Sequence, residues 1–206
     1  FPAMAQCEGW QQRIQRAIEV ELNAEDHRYA GLERLQYTNN SPDTLRTLFF
    51  HLYPNAFRPG SEMDVRSRHI KDPDPRVGAR IAALAPEEMG ELICHKVAQK
   101  GHVLRTQRGT ILRVDLAQAI LPGKTSALEL HFTGQVPVQI RRSGRDNAEG
   151  VAYSMTQWYP KVCAYDREGW HTDPYVGREF YGEWGDHTLT ITMDSAFTIA
   201  ATGVLT

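Results

Sequence analysis

Cysteine, net charge and long apolar runs are all scarce in this sequence, and each scarcity argues against a class of protein. The 206 residues include only three cysteines, Cys7, Cys94 and Cys163, which are odd in number and far apart. This spacing argues against a disulfide framework and against a CxxC zinc site. No apolar stretch approaches the roughly 20 residues that span a bilayer, so we predict no transmembrane segment. The formal net charge of −2 gives no indication of a nucleic-acid partner.

The local signatures of a self-contained enzyme are also missing. The sequence has eight histidines but neither HExxH nor HxH, and two imidazoles on one helical face need the i, i+4 spacing to share a metal. It has no GxSxG nucleophile elbow, no GxxxxGKS/T phosphate loop and no GxGxxG. We therefore predict no catalytic residue, no metal ligands and no cofactor within this chain.

Hydrophobic alternation is abundant, and it predicts an all-β fold. Between Arg13 and Leu22 the apolar residues fall on one face and polar residues on the other, as in a half-buried strand. A second strand completes a long hairpin, and Gly31 in its middle predicts a bulge or a close backbone approach. Short strands between Gly and Pro turns favour an antiparallel β-sandwich or a large curved, saddle-like sheet with long loops and little helix. The predicted strands are 13–22, 27–38, 45–53, 92–99, 103–107, 111–115, 127–133, 188–193 and 197–205.

Residues 58–90 differ in composition from the strands around them. Pro, Gly, Asp and Arg dominate, and Arg76–Leu84 is predicted to form a short helix before Pro86. No internal linker divides the chain. We therefore predict a single domain, 1–206, with 58–90 as an excursion on its surface.

The aromatic segment, residues 153–175 (YSMTQWYPKVCAYDREGWHTDPY), concentrates rings, prolines and carboxylates. In one interpretation the rings form a platform for a carbohydrate or a protein, which would make the chain a free-standing β-sandwich binding module. In the other, the rings pin a long rigid loop against the sheet, and the loop presents a few side chains to a neighbouring domain. The aromatic residues of this region are Tyr153, Trp158, Tyr159, Tyr165, Trp170, Tyr175, Phe180, Tyr181 and Trp184.

The same region carries oxygen and nitrogen donors of the kinds that hold metals or act as acid and base. Their spacing matches no ligand pattern, and such side chains also hydrogen-bond the backbone of long loops. A metal-dependent hydrolase built on Asp166, His171 and Glu179 is therefore the third hypothesis. The donors are Asp166, His171, Asp173, Glu179, Glu183, Asp186 and His187.

Residues 156–160 (TQWYP), followed by Tyr165-Asp166, resemble a segment of the aminopeptidase N family of zinc metallopeptidases, the gluzincins. In that family a T-Q-aromatic-E/Q-P run and an aromatic-Asp pair leave the N-terminal β-domain and line the active-site cleft. The strand at 29–39 is similar to the family's Y-x-G…L-x-Y-x-N strand. The stretches 52–57 and 169–175 are similar to a bacterial branch, and the pieces occur in the family's order over almost the whole chain.

The resemblance implies a division of labour between two domains. The zinc, its two His and one Glu ligands and the general-base Glu would lie in a following catalytic domain of the same polypeptide, while this N-terminal domain caps the cleft over a peptide substrate. Gln157 would contact the substrate near its amino end. Two positions later the family has Glu or Gln to bind the α-ammonium, but this sequence has Tyr159, whose phenol is uncharged near neutral pH. The exchange weakens ammonium anchoring by roughly 1.5–3 kcal/mol.

The resemblance also implies a setting and a larger protein. The bacterial branch indicates a periplasmic or other extracytoplasmic location. The family has further strands before its catalytic domain, and this sequence opens on Phe1 rather than methionine. We therefore expect a piece of a longer protein, truncated at its C-terminal end, that shows no hydrolytic activity alone.

Overall fold

The computed structural model describes residues 9–70, 78–104, 106–177 and 180–206, and β-strands dominate it. The chain is an all-β fold, as the alternation predicts. The helical parts are α1 (Glu62–His69) and two 3-10 turns, Tyr53–Phe57 and Ile81–Ala83. The strands are β1 (Arg13–Asn23), β2 (Arg28–Thr38), β3 (Leu45–His51), β4 (Glu91–Gln99), β5 (His102–Val103), β6 (Thr106–Arg108), β7 (Ile111–Ile120), β8 (Thr125–Gln135), β9 (Gly144–Arg145), β10 (Tyr153–Ser154), β11 (Lys161–Val162), β12 (Tyr165–Asp166), β13 (Gly169–Trp170) and β14 (Gly185–Thr192).

The first hairpin forms because each of its strands has one apolar face. In β1, Ile14 and Ile18 are buried, whereas the residues that alternate with them are mostly exposed. β1 then pairs antiparallel with β2 along its whole length. Asn23 supports the turn, since its Oδ1 accepts a hydrogen bond from the Glu25 N–H at 2.9 Å. The predicted long hairpin is confirmed.

Two sheets enclose one core. The larger sheet has the order β14–β1–β2–β8–β4–β5, and the smaller has the order β11–β3–β7–β6. Leu35 from the larger sheet and Phe50 from the smaller belong to the same buried cluster. Among the described strands of these two sheets, only β14 has a parallel neighbour, β1. Alternation at 188–193 predicts this strand but not its parallel pairing, since alternation carries no information about the partner.

The close approach predicted at Gly31 is confirmed. Gly31 lies opposite Phe132 in the β2–β8 ladder, and a Cβ atom on Gly31 would overlap the Phe132 ring. The phenyl group thus lies directly over the Gly31 backbone. Glycine is required here by space rather than by backbone conformation.

Three local expectations are wrong. The helix predicted at Arg76–Leu84 is represented only by the 3-10 turn at its end, and its first two residues lie outside the described residues. The helix in this region is α1, where Ser61 Oγ caps the Asp64 N–H at 3.1 Å. The strand predicted at 45–53 ends at His51, because a 3-10 turn containing a proline follows. Residues 197–205 form no strand, since they pair with no neighbouring strand in the described structure.

Candidate functional site

The aromatic segment is pinned to the core by its rings. Trp158, Tyr159, Tyr165 and Trp170 are all half-buried and pack against the main core. The indole of Trp158 meets Tyr29 edge to face at 5.8 Å, and the Tyr29 hydroxyl donates a hydrogen bond to the Trp158 carbonyl at 2.7 Å. These contacts hold the segment against the sheet, as one of the two interpretations predicts, while both indoles, Trp158 and Trp170, remain partly exposed.

Gln157 combines an unusual backbone with an unsatisfied side chain. Its φ of 55° lies in the left-handed region, which non-glycine residues adopt uncommonly. Its Oε1 atom is buried and has no hydrogen-bond partner in the described part of the chain. Buried polar atoms are nearly always hydrogen-bonded, and strained backbone concentrates at functional sites. Among the described residues, Gln157 is the one that combines a non-glycine left-handed backbone with a buried, unpartnered side-chain atom.

Tyr159 lies two residues further on, over a buried arginine. The guanidinium carbon of Arg16 is 4.9 Å from the centre of the Tyr159 ring, which is a cation–π contact. The Trp158 ring meets Tyr159 edge to face at 5.4 Å. Burial raises the pKa of Tyr159, so its phenol is neutral at neutral pH. Tyr159 therefore offers a hydroxyl group but no negative charge.

Arg16 belongs to a buried ion pair on the core side of the larger sheet. Its Nη1 atom lies 3.6 Å from Glu33 Oε1, and the two side chains are 1% and 0% exposed. Burial raises the pKa of Glu33 to about 7, although the positive charge of Arg16 lowers it. Both Glu33 oxygens and two Arg16 nitrogens have no hydrogen-bond partner among the described residues. The pair is thus incompletely satisfied.

Two further basic residues complete what we call the cationic cluster: Arg16, Lys161 and His187. Lys161, in β11, is half-buried, and burial together with the charge of Arg16 lowers the pKa of its ammonium group. His187, in β14, lies beside Arg16 in the β1–β14 register, and its ring is 6.3 Å from the Tyr159 ring. Arg16 is thus the cation in contact with the Tyr159 ring, whereas burial lowers the pKa of His187 and so favours its neutral imidazole.

The sequence suggests Asp166 and His171 as a metal or acid–base pair. In the structure they form a hydrogen-bonded pair that supports the loop. His171 Nε2 lies 2.7 Å from Asp166 Oδ2, and the Tyr181 hydroxyl donates to the same oxygen at 3.0 Å. Glu179 lies outside the described residues. Within the residues that the structure describes, no group of three or more His, Cys, Asp and Glu side chains is placed to hold a metal. The set of three donors stays a prediction, because Glu179 is outside the described residues, and no chemical step is assigned to a metal here.

A small pocket is lined by Thr156 and Trp158, the two neighbours of Gln157 in sequence, and sequence reasoning missed it. Met155, Thr156 and Trp158 line one side, and Tyr53 and Phe180 line another. Its remaining lining comes from parts of the chain that are far apart in sequence, so no local pattern could have shown it. The other lining residues are Tyr29, Pro54, Phe57, Gln135, Val136, Pro137, Arg141, Arg142, Ser143 and Tyr175.

Comparison with known proteins gives fold similarity without sequence similarity. No protein-family model matches the chain. No curated protein matches it significantly. Among solved structures, an M1 zinc metallopeptidase from Deinococcus radiodurans matches at a TM-score of 0.54 and 14% identity, over 95% of this chain and 35% of that chain. A mutant of the M1 enzyme from the same organism, bound to a Tyr-Ser-Ala substrate, matches at 0.52 and 16%, over 100% and 37%. A two-domain M1 zinc metallopeptidase mutant bound to L-arginine matches at 0.55 and 15%, over 96% and 36%.

The fold is similar to that of one part of an M1 zinc metallopeptidase. The chain spans a little over a third of the length of those proteins. At this level of identity the similarity establishes the fold alone. It agrees with the resemblance that residues 156–160 carry, and it leaves the roles of Gln157 and Tyr159 as predictions. Separately, no helix among the described residues is long and apolar enough to cross a membrane.

The residues that sequence reasoning overlooked are Arg16, Glu33 and Lys161. A signal for the first two was present, because Arg16 falls in phase with the buried Ile14 and Ile18, and Glu33 falls in phase with Leu35. A charge on the apolar face of a strand predicts a buried polar contact. Lys161 gave no such signal, since its position depends on how β11 pairs with β3.

Proposed function

We propose that this chain is the non-catalytic N-terminal β-domain of an aminopeptidase-like zinc metallopeptidase. In this proposal the domain closes one side of a cleft that it forms with a catalytic domain of the same polypeptide, and zinc is held entirely by that second domain. Gln157 and Tyr159 contact a peptide substrate near its amino end. The fold similarity to part of M1 zinc metallopeptidases supports a domain of such an enzyme.

One observation carries the finer part of the proposal, and it is the geometry of Gln157. The residue that the sequence resemblance assigns to the substrate is also the one with φ of 55° and a buried, unsatisfied amide oxygen. Each feature also occurs elsewhere in the described structure, but Gln157 is the described residue that has both. A substrate N–H group reaching Oε1 would satisfy the amide, and a hydrogen bond of this kind contributes about 0.5–1.5 kcal/mol, or more if the donor is charged.

The test is Gln157→Ala in a polypeptide that carries residues 1–206 together with the catalytic domain. We expect kcat/KM for short unblocked peptides to fall about tenfold, because one hydrogen bond to the substrate is lost. Gln36→Ala is the matched control, since Gln36 lies exposed on β2, and it should leave kcat/KM unchanged. Equal activity of the Gln157→Ala protein and the parent would contradict the assigned role of Gln157.

The assignment to a metallopeptidase has its own test. We expect the polypeptide with its catalytic domain to hydrolyse aminoacyl-coumarin substrates in a zinc-dependent manner, and residues 1–206 alone to hydrolyse none. Release of coumarin by residues 1–206 alone, freed of contaminating peptidases, would overturn the division of labour between the domains.

A further inference from the structure

The cationic cluster contains more positive charge than the acidic groups around it balance. Arg16 pairs with one buried carboxylate, Glu33, and Lys161 lies near enough for the charge of Arg16 to lower its pKa. Asp186, the neighbour of His187 in sequence, lies on the opposite face of the sheet, where its Oδ2 accepts from Arg13 Nη2 at 3.2 Å and from Gln15 at 3.5 Å. The cluster thus keeps an excess of one positive charge even when His187 is neutral.

Lys161 is a cationic member of the cluster that a ligand can reach, beside the exposed His187. Its side chain is half-buried, yet no ion pair or hydrogen bond of its ammonium group occurs within the described ranges. Gly182 makes room for it, because a Cβ atom on Gly182 would lie 2.7 Å from Lys161 Cε and 3.3 Å from Nζ. A desolvated ammonium group without a counter-ion is unfavourable, so the arrangement favours an anion beside it.

Arg16 strengthens the preference for an anion from the core side of the larger sheet. It is 4% exposed, and its Nε and Nη1 atoms have no hydrogen-bond partner among the described residues. Its charge acts on Lys161 and on Tyr159 through a poorly hydrated interior, where screening is weak. Tyr159 presents its ring to Arg16 and carries a neutral hydroxyl, so it supplies no fixed negative charge to attract a substrate ammonium group.

We propose that, within the enzyme proposed above, the cationic cluster binds a carboxylate that the substrate carries near its amino end. Lys161 forms an ion pair with this carboxylate, and the Tyr159 hydroxyl donates a hydrogen bond to it. Arg16 adds an electrostatic attraction from the protein interior. The substrate class is therefore peptides with an acidic first side chain. An α-ammonium group is disfavoured at Tyr159 and is held elsewhere in the cleft.

The first experiment measures anion binding on residues 1–206 without relying on activity. Fluorine NMR of protein labelled with 3-fluorotyrosine is recorded during titration with glutarate, with glutaramide as the uncharged match, and the Tyr159 signal is assigned by Tyr159→Phe. We expect saturable shifts of that signal with glutarate only. Lys161→Met should abolish them and Lys124→Met, on an exposed turn, should not. Equal responses to glutarate and glutaramide, or an unchanged response in Lys161→Met, would overturn the proposal.

The second experiment measures substrate preference in the polypeptide with its catalytic domain. The ratio of kcat/KM for glutamyl-coumarin to that for glutaminyl-coumarin is compared between the parent and Lys161→Met. We expect this ratio to fall about tenfold, because one charge-assisted contact is lost. An active enzyme whose ratio is unchanged overturns the assignment to substrate. If no aminoacyl-coumarin is hydrolysed, the proposed function fails, and the glutarate titration alone decides whether the cluster is an anion site.

Discussion

The β1–β2 hairpin and the aromatic segment hold their shapes in different ways. The hairpin is a continuous backbone ladder from Arg13–Thr38 to Asn23–Arg28. The aromatic segment contains only two-residue strands, and ring contacts and bonds such as Tyr29 to Trp158 hold it in place. The hairpin is thus specified by its own alternation, whereas the segment takes its shape from the sheet beneath it. The candidate site belongs to the second kind of structure, although its buried charges, Arg16 and Glu33, come from the first.

The largest effect should come from breaking the sheet at its tightest point. Gly31→Val places a branched side chain where the Phe132 ring lies, so we expect a loss of about 3 kcal/mol in the free energy of unfolding. Urea unfolding followed by circular dichroism measures it. Ala30→Val, on the exposed face of the same strand, should stay within about 0.5 kcal/mol of the parent. Similar losses in both variants would show that the Gly31–Phe132 contact is unimportant.

A smaller effect should come from releasing the aromatic segment from the sheet. Trp158→Ala removes half-buried indole area and the edge contact with Tyr29, so we expect a loss of about 2 kcal/mol. Limited proteolysis should then cleave within 153–175 while the hairpin stays intact. Trp184→Ala is the matched control, because Trp184 is 82% exposed and should change neither quantity. Cleavage in the hairpin before the segment would contradict the comparison.

The last effect is small at each step because it is spread over a range of pH, and it appears as a dependence of stability on pH. The pKa of Glu33 is about 7 in the folded protein and 4.5 in a model peptide, so the folded protein binds the proton more tightly. The resulting stabilisation is complete below the unfolded pKa and is lost as the pH rises through 7. We expect a contribution to the slope of at most about 1.4 kcal/mol per pH unit between these values.

Urea unfolding of the parent and of Glu33→Gln at several pH values between 5 and 7 checks this prediction. The variant should lack the contribution of Glu33 to the slope, since its side chain does not titrate. Glu21→Gln, at an exposed position of β1, should keep the slope of the parent. A slope that survives in Glu33→Gln would assign it to another group.

The parts of the fold that could be predicted are those whose signal is local. Alternation identified both strands of the hairpin, and Gly31 predicted a bulge or a close backbone approach, which the structure shows as a contact with Phe132. Helix α1 was not predicted, because its sequence, EMDVRSRH, shows no amphipathic pattern. Met63 is the only apolar side chain that this helix buries. The parallel pairing of β14 with β1 was not predicted, because the pattern of a strand does not identify its neighbour.

The candidate site could be predicted only in part. The motif around Gln157 marked the right loop, and the structure adds the backbone strain and the unsatisfied amide that a sequence does not show. Lys161 and His187 come near Arg16 only through the pairing of β11 with β3 and of β14 with β1. Such long-range pairings depend on tertiary packing, which periodicity does not encode.

The pairing of β14 with β1 also bears on the order of assembly during synthesis. Gln15 and Asp186 meet across a separation of 171 residues, and Arg16 and His187 lie beside them in the same ladder. Contacts so distant along the chain form slowly, and they cannot form before both strands have left the ribosome. A nascent polypeptide can therefore form the β1–β2 hairpin before His187 of β14 is available to pair with Arg16.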